Sequence, residues 1–425
     1  MSTRVVITGM GVVAPNGVGV PAFEQSLREG RSGIRHMEAM AEAKFGCTVA
    51  GVPQGVDEQI EKEFEEDERL VMNMSHRYAS LACLETWRDA GLERPARDSE
   101  TVDWETGAII GTGIGGMDTT AETVVPLTNA GRVRRMGSTA VEQVMASGVS
   151  ARVSGQFALG NQVSTNSSAC STGTEAIAMG LERIRAGAAV RMLCGGSEAA
   201  SHYIWAGFDA MRVLNRGSNE APEKASRPMS ASAGGFIPGA GAGVLLLESE
   251  ESARNRGATI YAEVAGQAIN CGGHRMGGSM TAPNPESVRR CILAALQDAG
   301  IGAQDVDAIN GHLTATGADP REIGSWAAAL ERDPGNLPPI TATKSMIGHT
   351  LGAAGAIESV AAVLMLSRGF VHPSINCEDV HPEIEPHAAS IPHAMQEFAN
   401  MKTIIKAGFG FGDVNACLVF RAWEG

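Results

Sequence analysis

Ser167-Ser168-Ala169-Cys170-Ser171-Thr172-Gly173 is the stretch whose reading decides the fold. Before it, Asn161 to Asn166 reads as a strand or extended edge. After it, Ile177, Leu181 and Ile184 recur at the spacing of one helix face. Cys170 therefore sits at a strand-to-helix turn, where unpaired backbone N–H groups point outward. The partial positive charge of a helix N-terminus favours a thiolate there. The same donors can hold an oxyanion, so a nucleophile and part of its oxyanion hole fit in one turn. Gly-x-Ser-x-Gly elbows work in the same way, though this stretch lacks that pattern. Location alone leaves two readings open, a nucleophile or a small buried core thiol.

The 425 residues leave room for two or three domains. Aromatic residues make up only 4% while glycines number 52, so the core must use small and aliphatic side chains. A formal net charge of −14 argues against nucleic acid and anionic membranes as partners. An acidic macromolecular partner would need a local basic patch. The eight cysteines (47, 83, 170, 194, 271, 291, 377 and 417) form no Cys-x-x-Cys motif. The first residues become a strand rather than a signal peptide, and no apolar run approaches the ~18 residues of a membrane span. These features predict a soluble cytoplasmic protein with reduced thiols.

Outward from the central turn, Arg4 to Gly9 reads as a buried strand, and Ser75 to Ala90 as an amphipathic helix. Residues 54–69, rich in Glu, read as a solvated acidic segment. The strand 106–110 opens Gly111-Thr112-Gly113-Ile114-Gly115-Gly116, a formal G-x-G-x-x-G match. The stretch 118–128 is poorly helical near Pro126, and its acids Asp118 and Glu122 come too early for a ribose. A turn near the substrate suits this motif better than a dinucleotide site. Gly131-Arg132-Val133-Arg134-Arg135 is the densest basic cluster, either a solvated turn or a dock for an acidic partner.

Two later strands end in Gly311-His312 and in Lys344-Ser345-Met346-Ile347-Gly348-His349. The run strand, turn with Cys170, helix is echoed by strand, turn with His349, helix. Two similar halves would bring those turns face to face. A thiol with two imidazoles suits acyl transfer at a thioester: one imidazole can hold or deprotonate the thiol, and neutral imidazoles can also donate to a carbonyl on which charge develops. Lys344 either biases nearby pKa values or forms a buried ion pair with Glu358.

On these motifs the chain resembles the β-ketoacyl-acyl carrier protein synthases, the elongating condensing enzymes. The resemblance runs from Val5-Val6-Ile7-Thr8-Gly9-Met10-Gly11 to Gly410-Phe411-Gly412 and is most specific at Lys344 to Gly355. It implies an α/β, thiolase-like fold of five layers, α-β-α-β-α, made of two similar halves. Residues 1–255 would form the N-terminal half carrying the nucleophilic Cys, and 256–425 the C-terminal half carrying both histidines. Cys170 would take the acyl chain from acyl carrier protein. His312 and His349 would promote malonyl decarboxylation, and Lys344 would belong to the catalytic set. Backbone N–H groups of Cys170 and Phe411 would form the oxyanion hole, with Phe411 also a gate. Thr314 and Thr316 match residues that hold phosphopantetheine. Ile114, Phe208 and Phe409 match residues on the substrate side, and Glu358 the ion-pair partner. Arg134, Arg135 and Arg212 match carrier-docking positions. The resemblance implies no cofactor or metal beyond the carrier's arm, and pairing as a homodimer or with a second ketosynthase-like subunit.

Several positions depart from the family pattern: Leu313, Ala315, Ala240, the Arg227-Pro228-Met229-Ser230 run and Asp413-Val414. A bulky Leu313 should reshape the malonyl side. Together these suggest a specialised, polyene or polyketide-like pathway. Three alternatives stand beside this reading. A non-condensing chain-length factor usually lacks the Cys that this chain keeps. A coenzyme A-dependent thiolase would need a second cysteine near the C-terminus, but Cys417 lies inside the last strand rather than in a Gly-rich loop, and the Gly348-His349 motif argues against it. A NAD(P)-dependent reductase rests on Gly111–Gly116 alone.

Overall fold

The computed structural model describes residues 3–425. Strand β1 (Val5–Ala14) is buried along its whole length, as a run of β-branched and small residues allows. There follow α1 (Met74–Asp89), β2 (Thr106–Gly111), β3 (Val163–Ser164), α2 (Thr172–Arg185), β4 (Arg191–Glu198) and β5 (Gly241–Ser249). A second series comprises β6 (Ala262–Cys271), α3 (Pro285–Ala299), β7 (Ala308–Asn310), α4 (Asp319–Ala329) and β8 (Ile340–Thr341). It ends with α5 (Ala354–Arg368), β9 (Thr403–Gly410) and β10 (Val414–Ala422).

The two series have one topology. Read outward from their junction, the orders are β1-β5-β4-β2-β3 and β6-β10-β9-β7-β8. In each, the first two pairings are antiparallel and the last two parallel. They join where Val6 and Ile7 pair with Glu263 and Ala262. Past a bulge between Ile7 and Gly9, the amides of Met10 and Val12 donate to Asp89 and Glu85 of α1. Carboxylates thus satisfy backbone where the two strands diverge.

Helix α1 packs on β1 and β5, and α3 packs on β6 and β10 with α4 beside it. Between the two strand sets lie α2 and α5, each touching strands of both. The result is five layers, α-β-α-β-α, the architecture that the resemblance implies. Residues Ala354 to Leu366 of α5 are all buried, so this helix is apolar on every side. Contrary to the sequence expectation, Leu351–Arg368 is an 18-residue run of mean hydropathy 1.4, long and apolar enough to cross a membrane. Here 89% of that run is buried inside the fold, where it forms the central layer.

Glycines set how closely α2 and α5 approach. A Cβ on Gly173 would lie 2.5 Å from the Ala356 nitrogen, and one on Gly355 2.2 Å from Thr174 Oγ1. That approach puts the turn before α2 against the turn before α5, so Cys170 and His349 meet as the echoed pattern anticipates.

Two local expectations need correction. Residues 54–69 are not simply solvated: Val56–Glu63 and Glu66–Leu70 are helices, Ile60 in the first and Phe64 between them are buried, and Glu68 pairs with Arg94. The stretch around Pro126 is helical: residues 117–129 form one continuous helical run, and its π-helical turn, Thr120–Val124, lies just before Pro126. Substituting Gly355→Leu should wedge the two central helices apart and cost about 3 kcal/mol. A lowered denaturant midpoint at unchanged slope would register this; an unchanged midpoint would contradict the close approach.

Candidate active site

Ligand atoms of Cys170, His312 and His349 all lie within 4.8 Å of one another. The turn carrying Cys170 is strained, with Ala169 at φ 48°. It is held by Ser171, whose hydroxyl donates to the carbonyls of Gly408 (2.9 Å) and Val414 (3.0 Å) in the β9–β10 hairpin. Thr172 closes it from the other side, its Oγ1 accepting the Ser168 N–H at 2.7 Å. Gly410 allows the hairpin loop to reach the Cys170 backbone, since a Cβ there would sit 3.1 Å from the Cys170 nitrogen.

Cys170 keeps a partly exposed face in the pocket, but protein surrounds its sulfur. Burial pushes the thiol up to about 11; the Phe411 N–H and the Lys344 charge act in the opposite direction without overcoming it. This corrects the expectation of a thiolate at rest. Desolvation is the largest influence on this sulfur.

The two rings meet edge to face, their centroids 5.5 Å apart at 82°. His349 Nδ1 accepts the Leu351 N–H at 3.1 Å, and His312 Nδ1 lies 3.4 Å from Lys344 Nζ. Each Nδ1 is therefore an acceptor, and a neutral ring carries its proton on Nε2. Burial, followed by Lys344 and other nearby groups, holds both imidazoles well below the usual histidine range. Both are neutral at physiological pH. Rings in this tautomer offer N–H donors, not lone pairs, which suits polarising a carbonyl and does not suit holding a metal.

Lys344 takes both roles foreseen for it. Its Nζ donates to the His312 carbonyl at 2.6 Å and forms a buried ion pair with Glu358. A second lysine, Lys406, pairs with the other Glu358 oxygen at 2.8 Å. Sequence reading missed it, although a lysine inside an apolar strand was the available signal.

Carboxylates also hold the backbone around His312. Glu322 accepts the N–H groups of His312 (2.6 Å) and Leu313 (2.8 Å). Asp319 accepts those of Thr314 (2.8 Å) and Ala315 (3.0 Å). They stabilise a left-handed stretch, with Leu313 at φ 25° and Ala315 at φ 62°. That twist turns Leu313 into the core beside α3 and α4, outside the pocket lining. The expectation that Leu313 reshapes the malonyl side is thus overturned. The Gly111–Gly116 motif is a clamp as well. Gly113 (2.8 Å), Ile114 (3.2 Å) and Gly352 (2.9 Å) all donate N–H to the buried Glu198. Its glycines serve this carboxylate and not a dinucleotide.

Cys170 opens onto a cavity of about 360 Å³. Its walls include Phe208, Phe409, Phe411, Thr314 and Thr316, with the two threonine hydroxyls 2.9 Å apart. Phe208 and Phe411 stand 6.2 Å apart at an angle of 61°. Ile114 does not line this cavity and is 42% exposed. Arg134 and Arg135 occupy an exposed helical turn, and Arg212 lines a separate recess with Arg216, Lys224 and Arg227. Cys417 lies buried within β10, away from the cavity, so the thiolase reading has no second thiol there. The roof segment 272–284 is tied to the Phe411 loop. Asp413 accepts the N–H groups of His274 (3.0 Å) and Asn284 (2.8 Å), and Gly412 donates to the Met280 carbonyl at 2.8 Å.

Comparison with known proteins agrees with this geometry. The family described as "Beta-ketoacyl synthase, N-terminal domain" matches residues 2–253, and "Beta-ketoacyl synthase, C-terminal domain" matches 261–378. The chloroplastic 3-oxoacyl-[acyl-carrier-protein] synthase I of Arabidopsis thaliana is 35% identical, over 99% of this chain and 87% of its own length. The ishigamide ketosynthase/chain length factor superposes with a TM-score of 0.88 at 29% identity, covering both chains fully. A type II polyketide ketosynthase, solved with its acyl-carrier protein and bound to the hexaketide, gives a TM-score of 0.87 at 31% identity, again over both full chains. The chain belongs to the β-ketoacyl synthase family of condensing acyltransferases.

Proposed function

We propose that the enzyme joins an acyl chain to a malonyl unit, both delivered on acyl carrier protein, and releases a 3-oxoacyl carrier and CO2. The observation that carries this reading is one thiol and two imidazoles, Cys170, His312 and His349, whose reactive atoms lie within 4.8 Å of one another at one pocket. In the first step the Cys170 sulfur attacks the acyl thioester. The C–S bond to the carrier breaks, and the thiol proton leaves on the departing pantetheine sulfur. Malonyl thioester then enters. Its carboxylate leaves as CO2, and the electron pair stays as an enolate whose oxygen accepts from both Nε2–H groups. The α-carbon attacks the acyl-Cys170 carbonyl. Its oxyanion is held by the N–H groups of Cys170 and Phe411. Collapse expels the sulfur, which takes up one proton.

Supporting roles follow from the same geometry. Thr314 and Thr316 offer hydroxyls to the amides of the pantetheine arm, and Phe411, facing Phe208, gates the pocket. Lys344 and Glu358 hold His312. Arg134, Arg135 and Arg212 meet the acidic carrier, which answers the −14 charge of the chain. We divide the chain into halves at 255/256, in keeping with the repeated strand order. A second ketosynthase-like subunit, identical or not, would cover exposed apolar side chains such as Val125 (47%), Val133 (57%) and Val141 (73%). No separate cofactor is assigned. Eight free cysteines favour a reducing, cytoplasmic setting. A specialised polyketide-like chain remains our preferred substrate class, although Leu313 no longer supports it. Preference for unsaturated over saturated acyl carriers in a competition assay would bear this out, and indifference would remove it.

His312→Ala and His349→Ala should each slow malonyl decarboxylation about 100-fold or more, measured as CO2 release, while Cys170→Ala retains it. Loss in Cys170→Ala equal to that in the histidine variants would contradict the division of roles. Because the imidazoles must stay neutral and their pKa values are depressed, activity persists as pH falls and is lost only below the usual histidine value of about 6.5. A pH–rate profile with its acid limb at or above that value would contradict neutral donors. Asp413→Ala should free the roof segment, raising its hydrogen exchange at 272–284 and raising KM for malonyl carrier; unchanged exchange would refute the tether.

A further inference from the structure

Strand β9 is paired on both sides and buried from end to end, yet it carries a lysine. Lys406 has no exposed surface. Its ammonium donates to the Ala407 carbonyl and lies 2.8 Å from Glu358 Oε2. Glu358, also fully buried, gives its other oxygen to Lys344. One carboxylate therefore faces two ammonium groups. Burying an unmatched cation is strongly unfavourable. The pair of Lys344 with Glu358 would anchor His312 without it, so fastening alone leaves Lys406 unexplained.

The surroundings say what the second cation acts on. Around Lys406 stand Glu358 on α5, Lys344, Glu322 on α4, and Cys417 on β10 with Cys291 behind it. Its charge also reaches His312 and His349 and lowers the proton affinity of both. Glu322 offsets the excess only in part, because burial pushes its carboxyl up to about 7. We propose that Lys406 is a positioning residue for decarboxylation: its charge clamps Glu358 opposite Lys344 and leaves net positive charge beneath the imidazoles. That charge adds to burial in keeping both rings neutral and favours the enolate forming above them. This inference rests on the condensing reaction proposed above. It gives the cluster a task in the second step and none in loading Cys170.

The test compares Lys406→Gln, which keeps a donor without the charge, with Lys406→Arg, which keeps the charge. The Gln variant should lose about tenfold or more in kcat for malonyl decarboxylation, with KM within about threefold, and its acid limb should rise by about one unit. Arg should restore both readouts to within about threefold. Covalent acyl loading by intact mass should be unchanged in each. Unchanged kcat and acid limb in a folded Gln variant would overturn the proposal, as would equal loss in Gln and Arg. Failure of the wild-type protein to load would instead overturn the condensing reaction itself. Should the Gln variant not fold, Lys406→Met, which removes the charge without burying a polar side chain in its place, is read in the same way. A loss of about tenfold in kcat with a raised acid limb supports the proposal; wild-type values of both refute it.

Discussion

Glu358 is the point on which the catalytic pocket is built. Its carboxylate, wholly inside the protein, binds Lys344 on one oxygen and Lys406 on the other. Through Lys344 it holds the carbonyl and ring of His312, and through Lys406 it ties α5 to β9. Removing Glu358 from this cluster would strand two buried ammonium groups, at a cost of about 3–5 kcal/mol. The central helix therefore does two jobs with one residue. It locks the two strand sets together and fixes the electrostatics of the site at its N-terminal end. The glycine contact between α2 and α5 makes this possible, because it brings the thiol of one turn within reach of the imidazole of the other.

A second pattern runs through the pocket. Glu198, Asp319, Glu322 and Asp413 are buried acids that accept backbone N–H groups. Each braces a segment that plain secondary structure could not hold: the glycine turn at 111–116, the left-handed stretch after His312, or the loop beside Phe411. Local strain of this kind persists only where its surroundings over-determine it. Backbone donors near the reacting atoms are thereby fixed before substrate arrives, which is what electrostatic stabilisation of an oxyanion or enolate requires.

Much of this was legible in the sequence. The motifs around Cys170, His312 and Lys344 to Gly355 named the chemistry, and helix periodicity placed α2 and α5. The five layers followed from the family resemblance, and the match between turns from the echoed pattern. What escaped was the direction of side chains in non-repetitive backbone. Leu313 looked like a pocket residue because it follows His312, but a positive φ turns it into the core. Gly111–Gly116 resembled a nucleotide loop because the carboxylate that it serves, Glu198, lies more than eighty residues away in sequence. Lys406 was hidden in an apolar strand, its partner Glu358 on a different element. Resting protonation of Cys170 was misjudged for a similar reason. A helix N-terminus is visible in sequence, while the burial that opposes it is not.

The most direct measurement is peptide-mapped mass spectrometry of the full-length protein after incubation with an acyl-loaded carrier protein. One acyl group per chain, confined to the peptide containing Cys170 and absent from those of the other seven cysteines, is the expected result. Acylation at another residue, or none while the carrier remains intact, would contradict the assignment of Cys170 as the sulfur that accepts the chain.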